Sequence, residues 1–139
     1  MSSAPVVYIT RQEQVSTGHR LYSSQLTDEE NLKVYGKCNN LHGHNYTVEV
    51  TIRGAVNPTT GMVMSIRDLK EYMDKAVMKK LDHKNLDKDL EAFREIPSTE
   101  ENLSIFIWKE LREVLPKPEL LYEVRIAGTN KNFVIYRGD

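Results

Sequence analysis

His42-Gly43-His44 opens a stretch in which Tyr46, Val48, Val50 and Ile52 alternate with Thr47, Glu49 and Thr51. On an extended strand that alternation sets both imidazoles on the Tyr46 side. Gly43 between them has no side chain to crowd an approaching ion, so the pair can act as a bidentate nitrogen claw of the kind zinc accepts. Taken alone, such a pair is more often just the polar entrance to a strand. His19 and His83 are the remaining histidines. His19 ends the first strand segment and His42 and His44 begin the second, so pairing of those strands would bring three imidazoles together. Three nitrogen ligands without a fourth make an open zinc site, where water or a substrate oxygen takes the last position. Cys38, the single cysteine, lies four residues before His42. As a fourth ligand it would close the site into a structural one, and spacing leaves the two arrangements level.

Cys38 has a second candidate role, as catalytic base or nucleophile, if a cation, metal or histidine lowers its thiol pKa. A lone cysteine is otherwise most often a buried, inert thiol. Asp82-His83 is suited to holding an imidazole in one tautomer. It is equally suited to ending a helix, with His83 near the negative end of the dipole. The Glu101 carboxylate can accept two N–H bonds side by side from a nitrogenous ring. Ser98-Thr99-Glu100-Glu101 also reads as an S-x-x-E capping box with Glu101 at its third position.

The chain that must position these groups has 139 residues with 19 basic and 20 acidic side chains, a net charge of −1. That length predicts one domain, 1–139, with a real core. The balance of charge gives no general affinity for nucleic acid or an anionic membrane. No apolar run approaches the ~18 residues of a membrane span. One cysteine and no signal-peptide pattern predict a cytoplasmic setting.

Residues 1–5 are expected to be a disordered leader, and Val6 to Val15 a strand. Residues 23–35 read as a loop with about one helical turn. The His42 strand runs to Gly54, and Asn57-Pro58-Thr59-Thr60-Gly61 turns the chain into a short strand at Met62-Val63-Met64. Ser65-Ile66-Arg67-Asp68 approaches a capping box. It opens a helix with Ile66, Leu69, Met73, Ala76, Val77 and Leu81 on one face, ending near Leu81-Asp82-His83. Residues 84–97 read as an irregular, charged surface segment. A second amphipathic helix carries Leu103, Phe106, Ile107, Leu111 and Val114. Tyr122, Val124 and Ile126 alternate in a third long strand, and Phe133 to Arg137 forms the last. The expected fold is α+β: an antiparallel four-stranded sheet in β-β-α-α-β-β order, with two helices on one face. The uncovered face and edges favour self-association.

The motifs Ser16-x-x-His19-Arg20-Leu21, Gly36-Lys37-Cys38-Asn39-Asn40, His42-Gly43-His44-Asn45-Tyr46, Gly61-Met62-Val63-Met64, Leu81-Asp82-His83-Lys84-Asn85-Leu86-Asp87 and Ser98-Thr99-x-Glu101-Asn102 occur together and in order. In this the chain resembles the 6-pyruvoyltetrahydropterin synthase family over nearly its whole length. The resemblance implies a tunnelling fold whose sheets close into barrels in a homohexamer, and zinc held by His19, His42 and His44. It implies a lyase acting on 7,8-dihydroneopterin triphosphate, a pterin, which loses triphosphate and rearranges to 6-pyruvoyltetrahydropterin for tetrahydrobiopterin biosynthesis. By the same analogy Cys38 moves the proton, Asp82 and His83 of a neighbouring subunit tune it, and Thr99 and Glu101 hold the substrate ring.

Two features depart from that pattern. The loop from Cys38 to His42 is two residues shorter than in the animal enzymes and resembles the 6-carboxytetrahydropterin synthases of the queuosine pathway. Ala127-Gly128-Thr129 stands where the family usually has a glutamate before the threonine. That leaves Glu101 as the chief expected anchor and keeps open a non-catalytic zinc- and pterin-binding homologue.

Overall fold

The computed structural model describes residues 4–139. Strand β1 (Val6–His19) and strand β2 (His42–Ala55) pair antiparallel without a break, from Val6 opposite Ala55 to His19 opposite His42. β1 thus runs four residues beyond the expected Val15. Of the expected leader, residues 1–3 lie outside the described residues, whereas the Pro5 carbonyl accepts a bond from the Val56 N–H. The alternation predicted for β2 holds on its inner face, where Tyr46, Val48, Val50 and Ile52 are fully buried; of the opposite set Thr47 and Glu49 are half-buried, and Thr51, bonded to Thr10, is buried too.

Helix α1 (Asp28–Tyr35) occupies the β1–β2 connection, where less than a helix was expected. Its Leu32 and Val34 are exposed, so it shows no apolar face to periodicity. A full capping box holds it, with Thr27 accepting from the Glu30 N–H and Glu30 from the Thr27 N–H. Asn31 is the helix's one buried residue, and its side chain accepts from the Ser23 N–H and donates to the Ser23, Leu26 and Thr27 carbonyls.

The turn at Asn57 forms, with Asn57 Oδ1 accepting from Thr59 and Thr60 and Gly61 at φ 72°. Met62 to Met64 does not become a strand; it returns a single backbone bond, to Asn57. Val63 instead packs on Gly54, within 2.7 Å of where a Cβ would stand.

Helix α2 (Ile66–Met73) starts where the sequence predicted, but Ser65 makes no side-chain cap bond. Asp68 is one methylene shorter than the glutamate of a capping box and leaves it unclosed. A π turn through Asp74–Met78 lets the consecutive Ala76 and Val77 both face the core, and α3 (Lys79–Leu81) completes the rod.

The segment read as irregular surface holds a short strand β3 (Lys84–Asn85), helix α4 (Leu86–Asp89) and a 3₁₀ turn at Glu91–Phe93. Leu86 and Phe93 are buried there. The sheet therefore has five strands rather than four, because β3 pairs parallel with Thr17 and Gly18 of β1.

Helix α5 (Glu100–Val114) lays Leu103, Ile107 and Leu111 against the sheet, each worth roughly 2 kcal/mol by buried area. Strand β4 (Leu121–Ala127) pairs with β2, and β5 (Val134–Tyr136) with β4, giving the order β3-β1-β2-β4-β5. A bulge opposite Thr51 and Ile52 sends Tyr122 to the outer face, against the Tyr8 ring, and Leu121 inward in its place. That outer face is polar and self-paired, with Thr10 bonded to Thr51 and Arg125 to Glu49.

Candidate metal centre

At the connected end of the β1–β2 hairpin, where the chain leaves β1 for α1 and returns into β2, the register puts His19 directly opposite His42, with His44 two residues on. One ring nitrogen from each of His19, His42 and His44 falls within a group whose members all lie within 4.8 Å of one another. The expected convergence of three imidazoles is therefore present, and the Cys38 thiol does not belong to the group. Cys38 sits half-buried in a 3₁₀ turn, Gly36–Asn39, anchored where its carbonyl accepts from the Leu21 N–H.

Second partners orient the rings. His42 Nδ1 lies 2.7 Å from the Asn40 carbonyl, and His19 Nδ1 lies 2.9 Å from the Ser98 carbonyl. A carbonyl only accepts, so each Nδ1 carries the proton and each Nε2 presents its lone pair. His42 Nε2 is buried without a hydrogen-bond partner among the described residues. A buried nitrogen lone pair with no donor is costly unless an ion takes it, and a neutral three-imidazole set suits a divalent metal. Burial, the largest cause, holds the His19 pKa below the ordinary histidine value, and the neighbouring His42 and His44 add to it against the Ser98 bond. Burial followed by His42 lowers that of His44. Both rings are thereby kept neutral and able to coordinate.

Two residues missed in the sequence reading complete this support. Ser98 is fully buried, its hydroxyl 3.2 Å from His19 Nδ1 and donating to Asp87 Oδ1 at 2.6 Å. Asp87 Oδ2 accepts from the Arg20 N–H at 2.7 Å. The pull on Ser98 corrects the expected capping box. Thr99, not Ser98, is the cap of α5, accepting from the Asn102 N–H, so Glu101 is the second helical residue and exposed. Glu100, passed over in the sequence, is the half-buried one and turns toward the histidines. The available signal was Gly128, whose missing side chain leaves the room.

Asp82 and His83 form the expected pair, His83 Nδ1 lying 3.0 Å from Asp82 Oδ2. Asp82 Oδ1 also accepts from the Ser16 N–H, the first cause of its lowered pKa. His83 is strongly exposed and adopts φ 62°, a left-handed conformation held by its N–H bond to the Ser16 carbonyl. Within one chain His83 lines a shallow depression shared with His42, and neither member of the pair joins the three-imidazole group. Tyr46 does approach it: its hydroxyl is 3.4 Å from His19 Nε2, and its ring stacks on His44.

Comparison with known proteins agrees with this geometry. The family model described as 6-pyruvoyl tetrahydropterin synthase matches residues 8–139. A Drosophila melanogaster protein named 6-pyruvoyl tetrahydrobiopterin synthase is 58% identical, covering 99% of this chain and 83% of that protein. The Homo sapiens protein of the same name is 51% identical over 94% of this chain and 91% of its own length. The solved structure of Caenorhabditis elegans 6-pyruvoyl tetrahydropterin synthase superposes with a TM-score of 0.96 at 43% identity, covering both chains fully. With the whole length matched and the three histidines gathered as the motifs required, the chain belongs to the 6-pyruvoyl tetrahydropterin synthase family.

Proposed function

We propose that this chain is a zinc-dependent, phosphate-eliminating lyase that converts 7,8-dihydroneopterin triphosphate to 6-pyruvoyltetrahydropterin, working as a cytoplasmic homohexamer. The observation that carries the reading is the group of His19, His42 and His44 with Cys38 left out of it, which favours an open site over a closed structural one. His19, His42 and His44 would hold the zinc ion, which would supply Lewis acidity that lowers the cost of removing a proton from carbon next to a hydroxyl.

The remaining work falls to the chain itself. Cys38 is assigned the proton transfer, since it precedes His42 by only four residues and is not part of the three-imidazole group. Asp82 fixes the His83 ring through Nδ1, leaving Nε2 to exchange protons with a thiol presented by a neighbouring subunit. Exposure of His83 in the isolated chain is what a residue acting across such an interface requires. Exposed Val6, Val7 and Tyr8 on one strand support assembly. Thr99 and Glu101 at the start of α5 are assigned to the substrate ring.

The short Cys38–His42 loop favours one second reading, the carboxy-forming relative. Incubating zinc-loaded protein with dihydroneopterin triphosphate separates them. A pyruvoyl side chain is the expected product. A carboxylate with acetaldehyde would move the chain to the relative, and unchanged ligand would make it a binding protein. Cys38→Ala should abolish turnover while keeping the metal; undiminished turnover would remove Cys38 from the chemistry.

A further inference from the structure

Gly128, at the end of β4, has no side chain where the family resemblance leads one to expect a carboxylate. The space is not empty. A Cβ built on Gly128 would stand 2.6 Å from Glu100 Oε1, 3.3 Å from Tyr46 Cε1 and 3.5 Å from His44 Nδ1. A carboxylate therefore occupies this place after all, delivered from the first residue of α5 instead of from the strand. Glu100 is not an ordinary first-turn acid. Its neighbour Glu101 fills that exposed role, whereas Glu100 is half-buried and aimed across the chain at β4. Burial raises its pKa, the Glu101 charge adds to this, and the Gly128 N–H opposes it. A partly desolvated carboxylate with one backbone donor has accepting capacity left over. The Tyr46 ring and His44 border the same position, so this accepting oxygen lies on the side of the metal claw.

We propose that Glu100 is the specificity-determining carboxylate of this protein, accepting two adjacent N–H bonds from an amino-pyrimidinone ring edge, and that Gly128 is glycine because Glu100 uses its space. The proposal rests on the pterin reading above but assigns the anchor to a residue that reading left out. Positions 100 and 128 are then coupled: one carboxylate fits, from either side, and two do not.

The test is fluorescence titration of zinc-loaded protein with neopterin and with its 2-oxo (lumazine) counterpart, alongside metal analysis. Glu100→Gln should weaken neopterin binding about 10- to 100-fold, the range for a hydrogen bond to a charged group. The preference for neopterin over the lumazine should shrink, with zinc content unchanged. Gly128→Glu should also lose neopterin binding, and the double variant Glu100→Thr/Gly128→Glu should recover to within about tenfold of the parent if the two positions are coupled. Glu100→Gln binding neopterin within twofold of the parent would overturn this inference alone, as would a double variant no better than Gly128→Glu. Failure of the unaltered, zinc-loaded protein to bind neopterin would overturn the pterin reading as well.

Discussion

Two regions build the metal centre, and they hold their residues in different ways. The β1–β2 hairpin contributes all three imidazoles through a continuous ladder of fourteen paired positions, so no single bond decides where His19 and His42 lie. The segment from β3 to the start of α5 contributes Asp87, Ser98 and Glu100 from an irregular path with few bonds, each of which decides an orientation. The ladder determines which atoms meet, and the irregular segment determines how they are turned and what surrounds them. Loss of a residue from the first should remove the site, whereas loss from the second should detune it.

The strongest challenge to that contrast is His42→Ala. It should lower metal affinity by more than the roughly 10- to 100-fold expected of an outer partner, with the fold intact by circular dichroism because the residue is the first of β2 and lies outside the hydrophobic core. Retention of stoichiometric metal would show that the claw is not the site. Next, Asp87→Asn and Ser98→Ala should each weaken metal binding about 10- to 100-fold, read by competition with a chelator. An effect as large as that of His42→Ala would dissolve the distinction between the two regions.

A smaller effect concerns pH. His19 and His44 have pKa values below that of the unfolded chain, near 6.5. As pH falls through that value the unfolded state takes up protons that the folded state does not, so stability is lost. The Tm of metal-free protein should therefore decline from pH 7 to pH 5.5, and the decline should lessen when His19 and His44 are both replaced by glutamine. Smallest of all, Thr27→Ala should cost about 1 kcal/mol by removing the α1 cap and leave metal affinity unchanged. A change in metal binding there would mean that α1 also steers the site.

The two regions also differ in how readable they are from sequence. Period-two alternation made β2 and the shared face of His42, His44 and Tyr46 evident, and period-three-and-four spacing did the same for α2 and α5. The 84–97 segment shows neither period. Its Leu86 and Phe93 are buried one at a time, and β3 is only two residues long. The S-x-x-E pattern at Ser98 misplaced the α5 cap by one residue because bonds to Asp87 and His19 draw Ser98 into the core. Tyr122 left its expected face through a bulge that alternation does not foresee.

By itself the sequence determined the α+β class, the two amphipathic helices, the hairpin and the three metal-ligand candidates, because each follows from local periodicity or from residue type at short spacing. Only the tertiary structure decided that Cys38 stays out of the imidazole group, that Ser98 and Asp87 brace His19, and that Glu100 rather than Glu101 faces the claw. Those outcomes depend on contacts between residues far apart in the chain, where a shift of one position along a helix exchanges a solvent-facing carboxylate for one turned into the site.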